Sequence, residues 1–278
     1  KLPTYEEYSA EHKNMQTAPM QVLLQAENTL SKSASAIYPT YDLTSSYTQP
    51  YHPPQMRLNT IGASGWKQVG EWVEWELEVP VDGLYQIGLR YHQNQVKGYY
   101  VTRRVMIDGK VPFAELDAVK FAYHADWDYM TFGESAKTPY LFYLTQGKHT
   151  LRMQVTLGDM APLLEEMQDT VYDLNELYRQ IIMITGTEPD FYRDYYLEKT
   201  IPGLTDRLTG LADTLDGYQD EMDALLGSHS TAGQTIQVLP YQMREFAKEP
   251  YTIQKRLTTF SSNISAFAEW TLSVREQP

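Results

Sequence analysis

Val69-Gly70-Glu71-Trp72-Val73-Glu74-Trp75-Glu76-Leu77-Glu78-Val79 runs into Pro80-Val81-Asp82-Gly83 and then Leu84-Tyr85-Gln86-Ile87-Gly88-Leu89-Arg90-Tyr91, and this stretch decides the reading of the fold. Val69, Val73, Trp75, Leu77 and Val79 alternate with Gly70, Trp72, Glu74, Glu76 and Glu78, and Glu71 alone falls out of step. A period of two puts apolar side chains on one face of a strand and acids on the other. After the turn, Tyr85, Ile87, Leu89 and Tyr91 share a second such face, with Gln86, Gly88 and Arg90 opposite. Two alternating runs about a short turn predict a β-hairpin.

Working outward, Val101 to Ile107 runs into Asp108-Gly109, a dipeptide suited to positive φ in a tight turn. Tyr140 to Leu144, the Gln146-Gly147 turn, and Leu151, Met153, Val155 and Leu157 alternating with Arg152, Gln154 and Thr156 continue the pattern. No amphipathic helix separates consecutive strands, which favours an antiparallel β-sandwich over a parallel sheet. Beyond residue 158 the period changes. Leu204, Leu208, Leu211, Leu215, Tyr218, Met222 and Leu225 recur at steps of three and four, a helical seam. Leu164, Met167, Val171, Leu174, Tyr178 and Ile181 mark an earlier helix that Gly186 closes, and Ile253, Leu257, Phe260, Ile264 and Phe267 a later one. Shorter helices are expected over Phe191–Lys199 and Thr235–Lys248, with Pro240 setting a start or kink in the second. Helices on short connections with acidic outer faces read as an antiparallel bundle. A coiled-coil partner surface is the functional alternative for these seams, but burial of the apolar stripe within the unit is the commoner outcome.

The fold class expected is therefore α+β and multidomain, an antiparallel β-sandwich with an inserted or appended antiparallel helical bundle. Residues 1–20 form a helical or extended arm, 21–158 the sandwich and 159–268 the bundle. In the last segment, 269–278, Trp270, Leu272 and Val274 alternate with Thr271, Ser273 and Arg275. That alternation predicts a strand returning to the sandwich, because a lone strand must pair with an existing sheet.

The balance of 278 residues, 42% apolar and 21% charged, is that of a folded chain large enough for one large or two modest domains. No apolar run reaches the roughly 18 residues of a membrane span. Zero Cys excludes disulfides, thiolate metal sites and cysteine nucleophiles. A net charge of -13 argues against nucleic acid, since phosphate binding needs clustered cations. The acidity lies in the second half, with 9 Lys+Arg against 20 Asp+Glu beyond residue 158, while the first half holds 14 of the 22 Tyr and four of the five Trp. The chain opens at Lys1 with no basic-then-apolar leader and stops at Pro278 after an apolar stretch, so both ends read as cuts in a longer polypeptide.

Catalytic motifs are missing. There is no phosphate-binding glycine loop or zinc-binding His pair on a helix, and Gly62-Ala63-Ser64-Gly65 lacks the spacing of a nucleophile elbow. Asp126, Asp128 and Glu134 resemble a calcium loop, but Thr131 occupies its glycine position. His12, His52, His92, His124, His149 and His229 are scattered, and each reads as an ordinary surface or core histidine. A non-enzyme is expected. Aromatic recognition is the stronger candidate: Trp66, Tyr99, Tyr100, Tyr123, His124 and Trp127 fall in expected loops or strand ends. Flat rings beside Asp, Arg and Gln suit sugars, which offer an apolar ring face and a fringe of hydroxyls. The same rings could instead cap the sandwich or seat the helical half.

Gln25-Ala26-Glu27-Asn28, Gly70-Glu71-Trp72-Val73-Glu74-Trp75, Val79-Pro80-Val81-Asp82-Gly83-Leu84-Tyr85, Leu89-Arg90-Tyr91 and Ile107-Asp108-Gly109, in that order, resemble the jelly-roll carbohydrate-binding modules attached to glycan-active enzymes. Arg57-Leu58-Asn59-Thr60-Ile61-Gly62, Pro139-Tyr140-Leu141-Phe142-Tyr143-Leu144, Tyr178-Arg179-Gln180-Ile181-Ile182-Met183-Ile184-Thr185-Gly186, Tyr192-Arg193-Asp194-Tyr195 and Glu276-Gln277-Pro278 extend the likeness over nearly the whole chain. It is similar to an accessory region of large extracellular solute-binding proteins of Gram-positive ATP-binding-cassette sugar importers. The resemblance implies a non-catalytic extracellular module at the cell surface, with a glycan and the neighbouring solute-binding lobes of the same polypeptide as partners. It also implies a further strand after Pro278. Glu27 corresponds to an acid that in many such modules helps hold a structural calcium; a second ligand, an Asp in the last strand, has no counterpart here. No other cofactor is expected. The alternative from another class is a structural spacer or protein-interaction domain that binds no glycan.

Overall fold

The computed structural model describes residues 1–51, 54–226 and 233–278, and the chain divides into two compact units, Lys1–Gly158 with Glu276–Pro278, and Asp159–Arg275. His52 and His229 lie outside the described residues.

Among the described residues of the first unit a short helix, α1 (Tyr5–Glu11), precedes thirteen strands. They are β1 (Ser31–Lys32), β2 (Pro39–Thr40), β3 (Thr60–Ile61), β4 (Trp72–Val79), β5 (Gly83–Tyr85), β6 (Gly88–Tyr91), β7 (Tyr100–Ile107), β8 (Val119–Ala122), β9 (Asp128–Thr131), β10 (Gly133–Ser135), β11 (Thr138–Pro139), β12 (Phe142–Leu144) and β13 (Gly147–Thr156). An antiparallel sheet runs in the order β1-β4-β13-β7-β8, while β5–β12, β6–β9, β10–β11 and β2–β3 pair separately. Val73, Trp75 and Val79 of β4, Val105 of β7 and Met153 and Val155 of β13 turn inward and share one core with Phe132, Phe142 and Leu144. The acidic positions of β4 take the opposite face, as a period of two requires.

The hairpin expected across Pro80–Gly83 does not form. β4 pairs with β13 and β5 with β12, so the chain crosses between layers at that turn and crosses back at Thr145–Gln146. Gln146 N donates to Asp82 Oδ1 at 2.5 Å and ties the two corners together. Alternation reports which side chains face inward; it does not say which strand lies alongside. Asp108 and Gly109 do take positive φ, 51° and 75°, and close a two-residue turn between Ile107 and Lys110.

The second unit holds α2 (Ala161–Thr185), α3 (Leu197–Thr200), α4 (Leu204–Leu226), α5 (Gly233–Lys248) and α6 (Leu257–Arg275). α4 packs on α5, α5 on α6, α6 on α2 and α2 on α4, closing a four-helix bundle. Leu204, Leu208, Leu215, Tyr218 and Met222 of the α4 seam are buried, whereas Leu211 is half-buried and Ala212 takes the inward place. Pro240 neither starts nor ends α5, which already runs from Gly233. The helix expected over Phe191–Lys199 shrinks to α3, because Asp190 and Asp194 accept hydrogen bonds from the backbone N of Tyr192 and Tyr196 at 2.9 Å each. Such local side-chain bonds compete with the helix.

A further correction concerns Trp270–Arg275, which is the end of α6 and not a strand. Ile264, Phe267, Thr271 and Val274 are buried at steps of three and four, and Leu272 is exposed. Six alternating residues are too few to overrule the helical stripe they extend. The chain does rejoin the first unit, at Glu276–Pro278: Gln277 N donates to the Lys67 carbonyl at 2.8 Å, and Gln277 Oε1 accepts from Thr102 N at 3.0 Å. Among the described residues no helix is long and apolar enough to cross a membrane.

Candidate functional site

Three loops of the first unit are lashed together around β6 and β9. Buried Asn59 holds the loop after β2: its Oδ1 accepts from Asp42 N at 2.7 Å and its Nδ2 donates to the carbonyls of Asp42 at 2.8 Å and Pro50 at 3.3 Å. Buried Gln93 holds the loop between β6 and β7, with Oε1 accepting from Val96 N at 3.0 Å and Nε2 donating to the Val96 carbonyl at 3.2 Å. The Gln93 carbonyl accepts from His124 N at 2.8 Å and joins that loop to the one between β8 and β9. A second tie runs from His92 Nε2 to the Ala125 carbonyl at 3.0 Å. Buried amide side chains with several partners are suited to fixing irregular backbone, since each is costly to leave unsatisfied.

The side chains presented by this frame are aromatic and charged. Tyr47 is 73% exposed, and the Arg90 guanidinium lies 5.3 Å over its ring while Arg90 Nη1 donates to its carbonyl at 3.4 Å. Tyr129, 60% exposed, pairs across the strands with Arg90, and its phenol end rests over Gly88, where any Cβ would collide with it. Trp127 is half-buried and packs on His92 with ring centroids 5.3 Å apart. Its indole nitrogen is buried and lies close enough to Asp42 to favour the ionised carboxylate. Burial alone would raise the Asp42 pKa; hydrogen bonds from Thr44, with Trp127 and His92 nearby, outweigh it and hold the carboxyl below its ordinary range. Asp128 accepts from the Tyr91 hydroxyl at 3.4 Å, and burial, with this acid added, pushes that phenol upward.

Of the residues expected to stack on a ligand, Tyr100 pairs with Ala122, next to Tyr123, and Gln93 bonds both the Tyr99 carbonyl and His124 N, while Trp127 packs on His92. Lys120 lies 4.6 Å over the Tyr100 ring, and Tyr99 and Tyr100 are half-buried with their hydroxyls enclosed. Trp66 is a correction. It is only 9% exposed and sits in the core, edge-on to Trp75 at 6.3 Å and under the Arg103 guanidinium at 4.8 Å. Its position after a short turn resembled a loop tip, but an indole there is large enough to reach inward. Tyr47, Arg90, Tyr129 and Asp42 were not expected as binding residues from the sequence, and His92 read there as an ordinary histidine; the pairing of Gly88 and Arg90 on the polar side of their strand was the available signal.

Glu27 supplies one buried carboxylate oxygen without a hydrogen-bond partner. Calcium takes six to eight oxygens. Among the described residues no group of three or more His, Asp or Glu lies close enough together to hold a metal ion.

Residues 162–270 match the model of a family described as bacterial solute-binding protein, 4-helix bundle domain. The match lies within the helical unit and covers less than half of the chain. No curated protein sequence matches the chain. Among solved structures, a Paenibacillus sp. cycloisomaltooligosaccharide glucanotransferase complexed with cycloisomaltoheptaose is 18% identical, over 55% of this chain and 20% of that one, with a TM-score of 0.37. A family 35 carbohydrate binding module from Clostridium thermocellum is 16% identical over 49% of this chain and 85% of its own, with a TM-score of 0.33. The corresponding module of Abf62 from Cellvibrio japonicus is 15% identical over 49% and 83%, with a TM-score of 0.32. The chain thus spans only 20% of the glucanotransferase's length.

Proposed function

We propose that the sandwich unit is a non-catalytic carbohydrate-binding module, and that the chain serves as an accessory region of an extracellular solute-binding protein for sugar uptake at a Gram-positive cell surface. The observation that carries the first part is the flanking of Arg90 by the exposed rings of Tyr47 and Tyr129 on the outward face of β6 and β9. An aromatic face meets the apolar face of a sugar ring, and carboxylates and guanidinium nitrogens pair with its hydroxyls. Arg90 spends one donor on the Tyr47 carbonyl and keeps others for a ligand. The match of the helical unit to a solute-binding-protein domain supports the second part. The neighbouring lobes of the same polypeptide are the other partners.

A glycan-array screen followed by calorimetry tests the reading. Affinity is expected at about -5 kcal/mol, in the sub-millimolar range. Tyr129→Ala, Tyr47→Ala and Trp127→Ala should each weaken it about tenfold, and Gly88→Ala should do the same by displacing Tyr129. No binding to any glycan, or binding that survives all four changes, would leave the second reading, a spacer or protein-interaction domain. The burial of Trp66 in the core favours that alternative.

A further inference from the structure

In the helical unit the chain enters at Asp159 and leaves at Arg275, so the start of α2 and the end of α6 share one pole of the bundle. The opposite pole is built from the last turn of α2 and the segment after it, residues 183–203, and from residues 249–256. It is unusually apolar for a surface: Tyr192 is 99% exposed, Met183 85%, and Phe191, Tyr196 and Tyr251 each more than half. The rings are held outward by a built loop. The Tyr195 hydroxyl accepts from Asp190 N at 2.9 Å, and buried Gln254, on the same segment as Tyr251, donates from Nε2 to the Arg193 carbonyl at 3.1 Å. Contiguous exposed apolar surface marks an interaction site, and Tyr, Phe, Met and Arg are the residues that interfaces enrich.

We propose that this pole is a self-association surface on which a second copy of the chain docks, pole to pole, about a two-fold axis. Charge selects the occupant. Residues 183–203 and 249–256 carry 4 Lys or Arg against 5 Asp or Glu, whereas the rest of Asp159–Arg275 carries 5 against 14. Two copies meeting here place their near-neutral patches together and keep their acidic flanks apart; any side-by-side contact of the bundles would oppose like charges. Arg193 and Lys199 stand beside Asp190, Asp194 and Glu198, so the patch offers both members of opposite-charge pairs, as an isologous contact requires. Aromatic side chains of about 150–250 Å² each, at these exposures, bring the patch to roughly 600–800 Å², close to the ~800 Å² per partner of a standard interface.

Sedimentation velocity of the 278-residue chain from micromolar to near-millimolar concentration tests this. The expected result is a monomer–dimer equilibrium that added salt strengthens and that Tyr192→Ala weakens by about tenfold or more. Tyr241→Ala, exposed on the α5 flank, should leave it unchanged. A Tyr192 ring so fully exposed makes no core contact, so the variant's melting temperature should match the parent and a lost dimer would not reflect misfolding. A parent that stays monomeric throughout, or a dimer unmoved by both Tyr192→Ala and Phe191→Ser, overturns the proposal. So does a monomer that instead co-sediments with zwitterionic or anionic lipid vesicles in a Tyr192-dependent way, which would make the occupant a membrane surface.

Discussion

At His149, Nδ1 meets Asp108 Oδ2 at 2.7 Å and Nε2 meets the Thr145 carbonyl at 2.9 Å. Both partners are acceptors, an arrangement that only a ring protonated at both nitrogens satisfies in full. Thr145 Oγ1 lies 3.3 Å from Nε2 and completes the outline of a nucleophile, histidine and aspartate array. A ring that donates at both nitrogens has no lone pair with which to take the hydroxyl proton, and its role is to pin the turn into β13. Burial pulls the His149 pKa down, but Asp108 and the Thr145 carbonyl outweigh it and raise the pKa above the ordinary 6.5. A raised folded pKa means that the stabilisation is fully present below 6.5 and is lost as pH rises through the folded value. Urea midpoints measured from mildly acidic to mildly alkaline pH should therefore fall with rising pH in the parent and fall less in His149→Gln. Parallel profiles would show that the pair contributes nothing.

Within the helices, burial separates residues that periodicity treats alike. Leu211 and Leu215 belong to one seam, yet Leu215 is fully enclosed and Leu211 is half-exposed. Leu215→Ala should cost about 2–5 kcal/mol through the cavity it leaves, and Leu211→Ala roughly 1 kcal/mol or less. Chemical denaturation followed by helical circular dichroism checks the order; equal costs would mean that the seam is packed more symmetrically than its burial shows. Tyr218 adds a polar lock at the same level, its hydroxyl 2.7 Å from Thr170 Oγ1 on α2. Among the strands, the Gly88–Tyr129 contact shows a comparable selection, since the glycine makes room for an exposed ring.

On the scale of the molecule, the chain leaves the first unit at Gly158 and is clasped back onto it at Gln277. The clasp centres on Arg103, fully buried, whose guanidinium donates to the carbonyls of Thr102 at 3.1 Å, Trp66 at 3.2 Å and Gln277 at 2.7 Å. Desolvation pushes its pKa down to about 9, against which nearby Glu71 pulls upward, so it remains charged at neutral pH. At the surface Glu276 meets Lys67 Nζ at 2.7 Å, and Lys67 holds its carboxyl below the usual range. Gln277→Ala removes the acceptor of the buried Thr102 N–H and should cost roughly 1–3 kcal/mol. Four of the five Trp lie in the first unit, so tryptophan fluorescence should report the lowered midpoint while helical circular dichroism stays near the parent curve. Coincident shifts in both signals would show that the two units unfold as one.

The sequence by itself determined the sandwich and the bundle as element types, because a period of two and steps of three and four are local properties that each residue's neighbours already display. It also located the loops carrying Tyr123, His124 and Trp127. Only the tertiary structure decided that β4 and β5 part company into different layers, that Trp66 turns into the core, that Trp270–Arg275 extends α6, and that Tyr47, Arg90 and Tyr129 meet. These depend on which distant segments lie side by side. Strand pairing and the reach of a large side chain are settled by packing over the whole chain, and alternation along one strand carries no record of its neighbour.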